Sequence, residues 1–296
     1  MHIAIILAFL MTIITASSNI LLKKGFVKLN PFLVSYFSVI LSTLFLWLIT
    51  LLNADPRSFA NYKGIAVFAI IGTFAPPLVR TFTYYGIHTL GAGRSAPLRA
   101  LTPFFATLIA IWLLHESPHP LIFAGIALII AGTVLITREP DNSSRYRPAH
   151  LAYPLFAALL AGIAANLRKY GLITMPNPVF ASAVAATSAS LCMTIYVILR
   201  IRKYRGEMNK FILHRRELGY ITTAGVLTSV GEITDLSALL YGKVSLVVPI
   251  FATTPFVIIL LSDIFLKKHE RITKTVVISA CLIITGVYIT ISRASP

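Results

Sequence analysis

Arg80, Glu232 and Asp235 sit well inside long apolar stretches of a chain that is 57% hydrophobic and only 12% charged. An ionisable side chain inside a bilayer is costly and marks a site of function by default. Arg80 can meet a substrate carboxylate or phosphate. Glu232 or Asp235 can meet an amine, or carry a proton if burial raises the carboxyl pKa. Glu232 and Asp235 are three residues apart and share one helix face. Tyr84 lies four residues beyond Arg80 on the same face, where its ring can stack on an organic substrate. Arg99, between Pro97 and Pro103, is either a second anion contact or a side chain that snorkels to the interface. The rival reading of Arg80 and Glu232 is a structural ion pair with no substrate contact.

Other chemistry finds little support. His115-Glu116-Ser117-Pro118-His119 fits the H-E-x-x-H zinc pattern. That chemistry needs both histidines on one face of a continuous helix, and Pro118 interrupts this one. No metal is expected. There is no Walker A stretch and no GxGxxG, so neither a nucleotide nor any other cofactor is expected, and no catalytic constellation suggests an enzyme. Cys192 and Cys281 lie inside apolar segments and read as small buried residues. The net charge of +16 does not imply nucleic acid, because the positive residues collect at segment ends and in loops, as in membrane proteins.

Ten stretches are long and apolar enough to span a bilayer, which takes about 20 residues each: roughly 2–22, 32–52, 62–88, 95–114, 119–137, 149–171, 178–200, 216–241, 244–266 and 272–292. Landmarks recur between the halves at matching spacings. Asn19 and Pro31 are matched by Asn166 and Pro178, Pro97 and Pro103 by Pro249 and Pro255, Glu116 and Gly132 by Glu270 and Gly286. The division is residues 1–138, a polar linker at 139–148, and residues 149–296. Five segments is an odd number, so the second half must enter the membrane upside down. The fold class is therefore an all-α membrane protein of ten transmembrane helices in two inverted-topology five-helix repeats. The Pro97/Pro249 offset carries Arg80 onto Glu232, so these opposite charges occupy equivalent positions about a pseudo-two-fold axis.

Proline removes a backbone donor and frees carbonyls. Pro76, Pro77, Pro97, Pro103, Pro249 and Pro255 are thus candidate helix breaks or gating points. Asn19 and Asn166 suit hydrogen bonding between helices. Lys23, Lys24, Arg168 and Lys169 read as interfacial anchors. The odd-numbered loops hold eighteen Lys and Arg against four in the even loops and tails, which predicts termini outside the cytoplasm. The apolar N-terminus lacks the basic leader of a signal peptide and reads as a retained helix.

Tyr85-Gly86-Ile87-His88-Thr89-Leu90-Gly91-Ala92-Gly93-Arg94-Ser95-Ala96-Pro97, with Thr102-Pro103-Phe104-Phe105-Ala106, resembles the fourth-helix signature of the drug/metabolite transporter superfamily, EamA type. Glu116 followed by Gly125 to Gly132 resembles its next signature, and the second half repeats both. The resemblance implies ten helices, a central cavity lined by both repeats, and alternating-access movement of small metabolites, often export. Val277-Ile278-Ser279-Ala280 departs from the usual opening of the last helix. Pro76-Pro77, Arg80, Glu232 and Asp235 are not general features of the superfamily.

The expected function is a secondary transporter of small polar metabolites such as amino acids or related carboxylates, an exporter by preference. The alternatives are a carrier of phosphorylated or other organic anions, using Arg80, Arg99 and Lys243, and a membrane scaffold or lipid-handling protein. The expected partners are a small-molecule substrate and the lipid bilayer, with proton coupling open and no nucleic acid. A monomer suffices. The expected location is a bacterial or archaeal cell (inner) membrane.

Overall fold

The structure, a computed structural model, describes residues 1–25, 31–52, 60–90, 95, 98–137, 148–200, 215–266 and 274–294. The helices are α1 His2–Gly25, α2 Pro31–Leu52, α3 Tyr62–Leu90, α4 Thr102–Leu113, α5 Leu121–Thr137, α6 Ala152–Thr174, α7 Pro178–Leu199, α8 Arg215–Tyr241, α9 Val244–Phe251, α10 Thr254–Leu266 and α11 Lys274–Ala294. A 3₁₀ turn at Pro148–Leu151 leads into α6. There is no strand among the described residues. Only a helix satisfies its backbone within one segment in lipid, and long apolar runs give helices here. The stretches His2–Leu21, Tyr62–Thr83, Ala149–Thr174 and Pro178–Leu199 are each long and apolar enough to cross a membrane, with shorter apolar helices beside them.

Two of the ten expected spans are broken, and at equivalent places. The ninth divides into α9 and α10, with the break at Ala252-Thr253. In the fourth, helix α4 begins only at Thr102. Each new helix opens on Thr-Pro, and proline suits a helix start because its missing N–H would have no partner there. The freed carbonyls are satisfied locally: Thr102 Oγ1 donates to Arg99 O at 2.8 Å and Thr254 Oγ1 to Phe251 O at 2.5 Å. Pro103 and Pro255 are therefore helix starters. Pro249 lies inside α9, and Pro97 falls outside the described residues. Helix α3 runs on through Pro76 and Pro77.

The main helix contacts pair one repeat with the other. Helix α1 packs on α8 and α3 on α6, α2 packs on α7, α5 packs on α11, and α4 reaches α6 as α1 reaches α9 and α10. Exchanging the repeats maps this list onto itself, so a pseudo-two-fold axis relates them. Gly242, just past α8, lies against Ala4 at the start of α1. Lys169, near the end of α6, reaches Leu239 near the end of α8. The start of α1 and the end of α6 thus share one face, and the two first helices run in opposite directions. This is the inverted topology. The face that holds the start of α1 and the end of α11 is called the terminal face. The helix ends flanking the basic loops lie at the opposite face.

The core is concentrated toward the terminal face. Ala4, Phe68, Ile71, Leu172, Met175, Phe180, Leu236, Leu239 and Val247 belong to one buried cluster. Toward the opposite face, Tyr36, Val39, Ala189, Met193 and Val197 join α2 to α7.

The α5–α11 contact explains why glycine recurs at Gly132 and Gly286. A Cβ on Gly132 would come 2.8 Å from Ser279 O, and one on Gly286 would come 2.6 Å from Gly125 O. Close approach of backbones through small residues is how membrane helices associate without a hydrophobic drive. Ser279 occupies the slot equivalent to Gly125, so the departure at Val277–Ala280 keeps a small residue where one is needed. Replacing Gly132 or Gly286 by valine should lower stability by about 1–3 kcal/mol through overpacking. Gly219, with nothing near its Cβ position, should accept alanine without loss. Thermal melting of the three purified variants checks this.

Candidate functional site

Helix α8 is polar for a membrane segment, carrying Thr222, Thr223, Thr228, Ser229, Glu232, Thr234, Asp235 and Ser237. It is held in the middle of the bundle, touching α1, α2, α6, α7 and α9. Its hydroxyls tie it to the first repeat. Ser229 Oγ lies 2.7 Å from Ser42 Oγ, and Ser18 Oγ lies 2.9 Å from Thr228 Oγ1. Such bonds satisfy polar groups that lipid would leave unmet.

Between the repeats lies a small cavity. Its polar lining comes from Ser42, Arg168, Ser182, Thr228, Glu232 and Asp235, and its apolar walls include Phe68, Ile71 and Leu236. Arg168 Nη1 donates to Asp235 Oδ2 at 2.5 Å. Asp235 is 4% exposed, whereas the Arg168 side chain keeps 29%, so the guanidinium is the more accessible partner. Each residue lies six positions before the end of its helix, at Thr174 and Tyr241, about 9 Å of rise. The two helices are parallel, which puts the charges at one depth.

Above this pair the terminal face is fastened. Lys169 Nζ donates to Leu239 O at 2.7 Å and to Leu240 O at 3.3 Å, covering carbonyls at the end of α8. Glu116, in the α4–α5 turn, accepts from Val244 N at 2.7 Å, from Ser245 N at 3.1 Å and from Ser245 Oγ at 2.6 Å. A carboxylate at a helix N-terminus satisfies otherwise unpaired N–H groups and complements the helix dipole. Here the cap belongs to the first repeat and the capped helix, α9, to the second.

Glu232, Asp235 and Pro76 line the cavity. Pro77 follows in α3. Arg80 and Tyr84 belong to α3 one and two turns beyond Pro76, but their side chains, and so the expected Arg80–Glu232 apposition, lie outside the described residues. Arg99 donates to Thr83 Oγ1 at 3.0 Å and is not among the cavity-lining residues. Lys243 precedes α9, exposed at the terminal face. His115 has a positive φ of 52°, the end of a helix and not the middle of a zinc-binding one. No group of three metal-ligating side chains occurs among the described residues. Asn166 donates to Ala106 O at 2.9 Å, bonding α6 to α4, while Asn19 is exposed.

Arg168 is the site residue that the sequence pattern hides. Beside Lys169 it looks like an interfacial anchor, but α6 continues to Thr174 and the pair lies deeper. The usable signal was the helix stop, since Asn177 caps α7 by accepting from Phe180 N at 3.1 Å.

A family match places these inverted repeats among the membrane transporters of the drug/metabolite transporter superfamily. The chain belongs to the EamA-like transporter family, whose sequence profile matches residues 2–138 and 150–292. It is similar to an uncharacterized protein of Methanocaldococcus jannaschii, at 30% identity over 133 residues, which cover 45% of this chain and 89% of that protein. A protein of solved crystal structure shares the fold with a TM-score of 0.76 and 15% identity, over 98% of this chain and 97% of that one.

Removing either partner of a buried ion pair leaves an uncompensated charge. Arg168→Gln and Asp235→Asn should each destabilise the protein by about 3–5 kcal/mol, whereas Arg168→Met with Asp235→Leu should recover most of that loss. Thermal denaturation of the three variants in detergent checks this.

Proposed function

We propose that this protein is a secondary transporter of small polar metabolites, amino acids or related carboxylates, and works by alternating access. The observation that carries this reading is one inter-repeat cavity lined by Arg168, Glu232 and Asp235 between apolar walls. A zwitterion fits such a wall. Its carboxylate competes with Asp235 for the Arg168 guanidinium, whose planar fork suits a bidentate carboxylate contact. Its ammonium then lies against Asp235 and Glu232. Arg80 and Tyr84, one and two turns along α3 from Pro76, extend the proposed site. Rocking of the repeats about the substrate opens the fastened terminal face, and this sequence requires breaking the Glu116 bonds to α9. Export is the proposed direction. A carboxylate freed from Arg168 during the exchange offers a place for a coupled proton, and a single chain supplies the complete path.

A carrier of phosphorylated anions has less support, since among the described residues the cavity lining includes two carboxylates and one arginine, while Arg99 and Lys243 lie elsewhere. The proposed location is a bacterial or archaeal cell membrane, and the positive-inside bias supports an orientation with the terminal face outside the cytoplasm.

In proteoliposomes, amino acid flux should be saturable in the wild type and fall at least about 100-fold in Arg168→Lys, a loss of about 2.7 kcal/mol, because a lysine keeps the charge without the fork. Glu232→Gln should reduce flux of zwitterions more than flux of simple monocarboxylates. Equal flux in wild type and Arg168→Lys would remove the cavity from the mechanism. A C-terminal reporter active only in the cytoplasm should stay silent, and activity there would reverse the orientation.

A further inference from the structure

We propose a second binding site, apart from the cavity and independent of its substrate, for a phosphate-type oxyanion, free or as a lipid headgroup. It lies near the opposite face, where α3, the residues just ahead of α4 and the start of α6 meet.

Three polar groups on the elements that form this junction make less bonding than they can. Arg99 has the Thr83 hydroxyl as a hydrogen-bond acceptor and no ion pair among the described residues, although a guanidinium offers five donors. Ser95 is 1% exposed, and its Oγ has no hydrogen-bond partner. It lies four residues before Arg99 in the sequence. His150 has a buried Nδ1 that also lacks a partner, with its ring stacked at 6.0 Å on Tyr153. Gly86 marks the meeting point. A Cβ there would come 2.8 Å from Ser95 Oγ and 3.0 Å from Pro154 Cδ, and Thr83 is one turn earlier in α3. Buried polar groups are nearly always paired, and an unpaired one calls for an explanation.

The internal repeat serves as a control. The offset of Pro97 to Pro249 carries Ser95 onto Val247 and Arg99 onto Phe251, and the Thr102 and Thr254 bonds described above confirm the register. Val247 is fully buried, and Phe251 packs against the core. The second repeat has apolar side chains at both of these positions, so the scaffold does not require the guanidinium or the serine hydroxyl there. An oxyanion accepts from the guanidinium, from the serine hydroxyl and from an Nδ1–H imidazole together. Tyr85 and Phe156, 55% and 52% exposed, flank it in a cluster with Phe82 and Tyr153. That apolar flank suits the acyl chains of an anionic lipid.

The test uses the full-length purified protein, stripped of lipid. Its melting midpoint is compared in sodium phosphate against sodium chloride at equal ionic strength, and in nanodiscs of phosphatidylglycerol against phosphatidylcholine. The wild type should gain about 5 °C in at least one arm. A gain in phosphate assigns a free anion, and a gain with phosphatidylglycerol alone assigns a headgroup. Arg99→Gln should abolish the gain, while Glu232→Gln, on the cavity, should keep it. No gain in either arm, an equal gain in Arg99→Gln, or a gain lost in Glu232→Gln would overturn the proposal. If Arg99→Gln does not fold, Ser95→Val and His150→Phe carry the test: a reduced gain supports the site and an unchanged gain overturns it. Transport through the cavity is read separately, so failure of one reading does not touch the other.

Discussion

Everything in this molecule depends on the mutual burial of its two halves. Helices α1 and α8, α3 and α6, α2 and α7, and α5 and α11 each join one repeat to the other. Lipid tails are as apolar as leucine, so helices gain nothing by merely hiding apolar surface. Close backbone contact and interhelical hydrogen bonds must hold them. The glycines at 125, 132 and 286 supply the first, and the pairs Ser42–Ser229 and Ser18–Thr228 supply the second. With the halves interleaved in this way, a chamber between them has walls from both, and any motion that changes access must shift one set of inter-repeat contacts against another.

The charged groups follow from that arrangement. Deep in helix α8, Glu232 and Asp235 are carboxylates that lipid would reject, and central placement sets Arg168 and first-repeat helices beside them. The pair itself is weak evidence of stabilisation, because desolvating two ions offsets much of their attraction. At the cavity wall the guanidinium is the more exposed partner, as the proposed exchange with a charged solute requires. The Glu116 cap and the Lys169 contacts are different in kind. They cover helix ends that would otherwise be unpaired, and they do so at the face where the core is densest.

Much of this was legible in the chain. Spans of about 20 apolar residues are the strongest pattern a sequence offers, and the paired landmarks exposed the repeat. Glu232 and Asp235 stood out because charge inside an apolar run is rare. What escaped notice has physical reasons. Pro103 and Pro255 were readable as candidate breaks, but Thr-Pro starts a helix as readily as it interrupts one, and apolar continuity hid that each opens a new helix. Arg168 was disguised by its neighbour Lys169 and by three residues of helix beyond the expected end. The partner of Glu116 lies 128 positions away, and no local pattern announces a cap supplied from the other half. Arg80 was a conspicuous signal whose side chain lies outside the described residues, and Asp235 takes Arg168 as its ion-pair partner.

The lopsided core has an energetic corollary. Under the pseudo-two-fold axis, the conformation closed at the other face would call on the counterparts of the residues that close this one. The Pro97/Pro249 offset carries Phe68 onto Tyr220 and Ile71 onto Thr223, and Thr223 is exposed. A phenolic ring and a hydroxyl replace a phenyl and a branched alkyl group, so the mirrored seal excludes water less well. In the proposed alternating-access cycle the two end states would therefore be wells of unequal depth, the deeper one sealed at the terminal face.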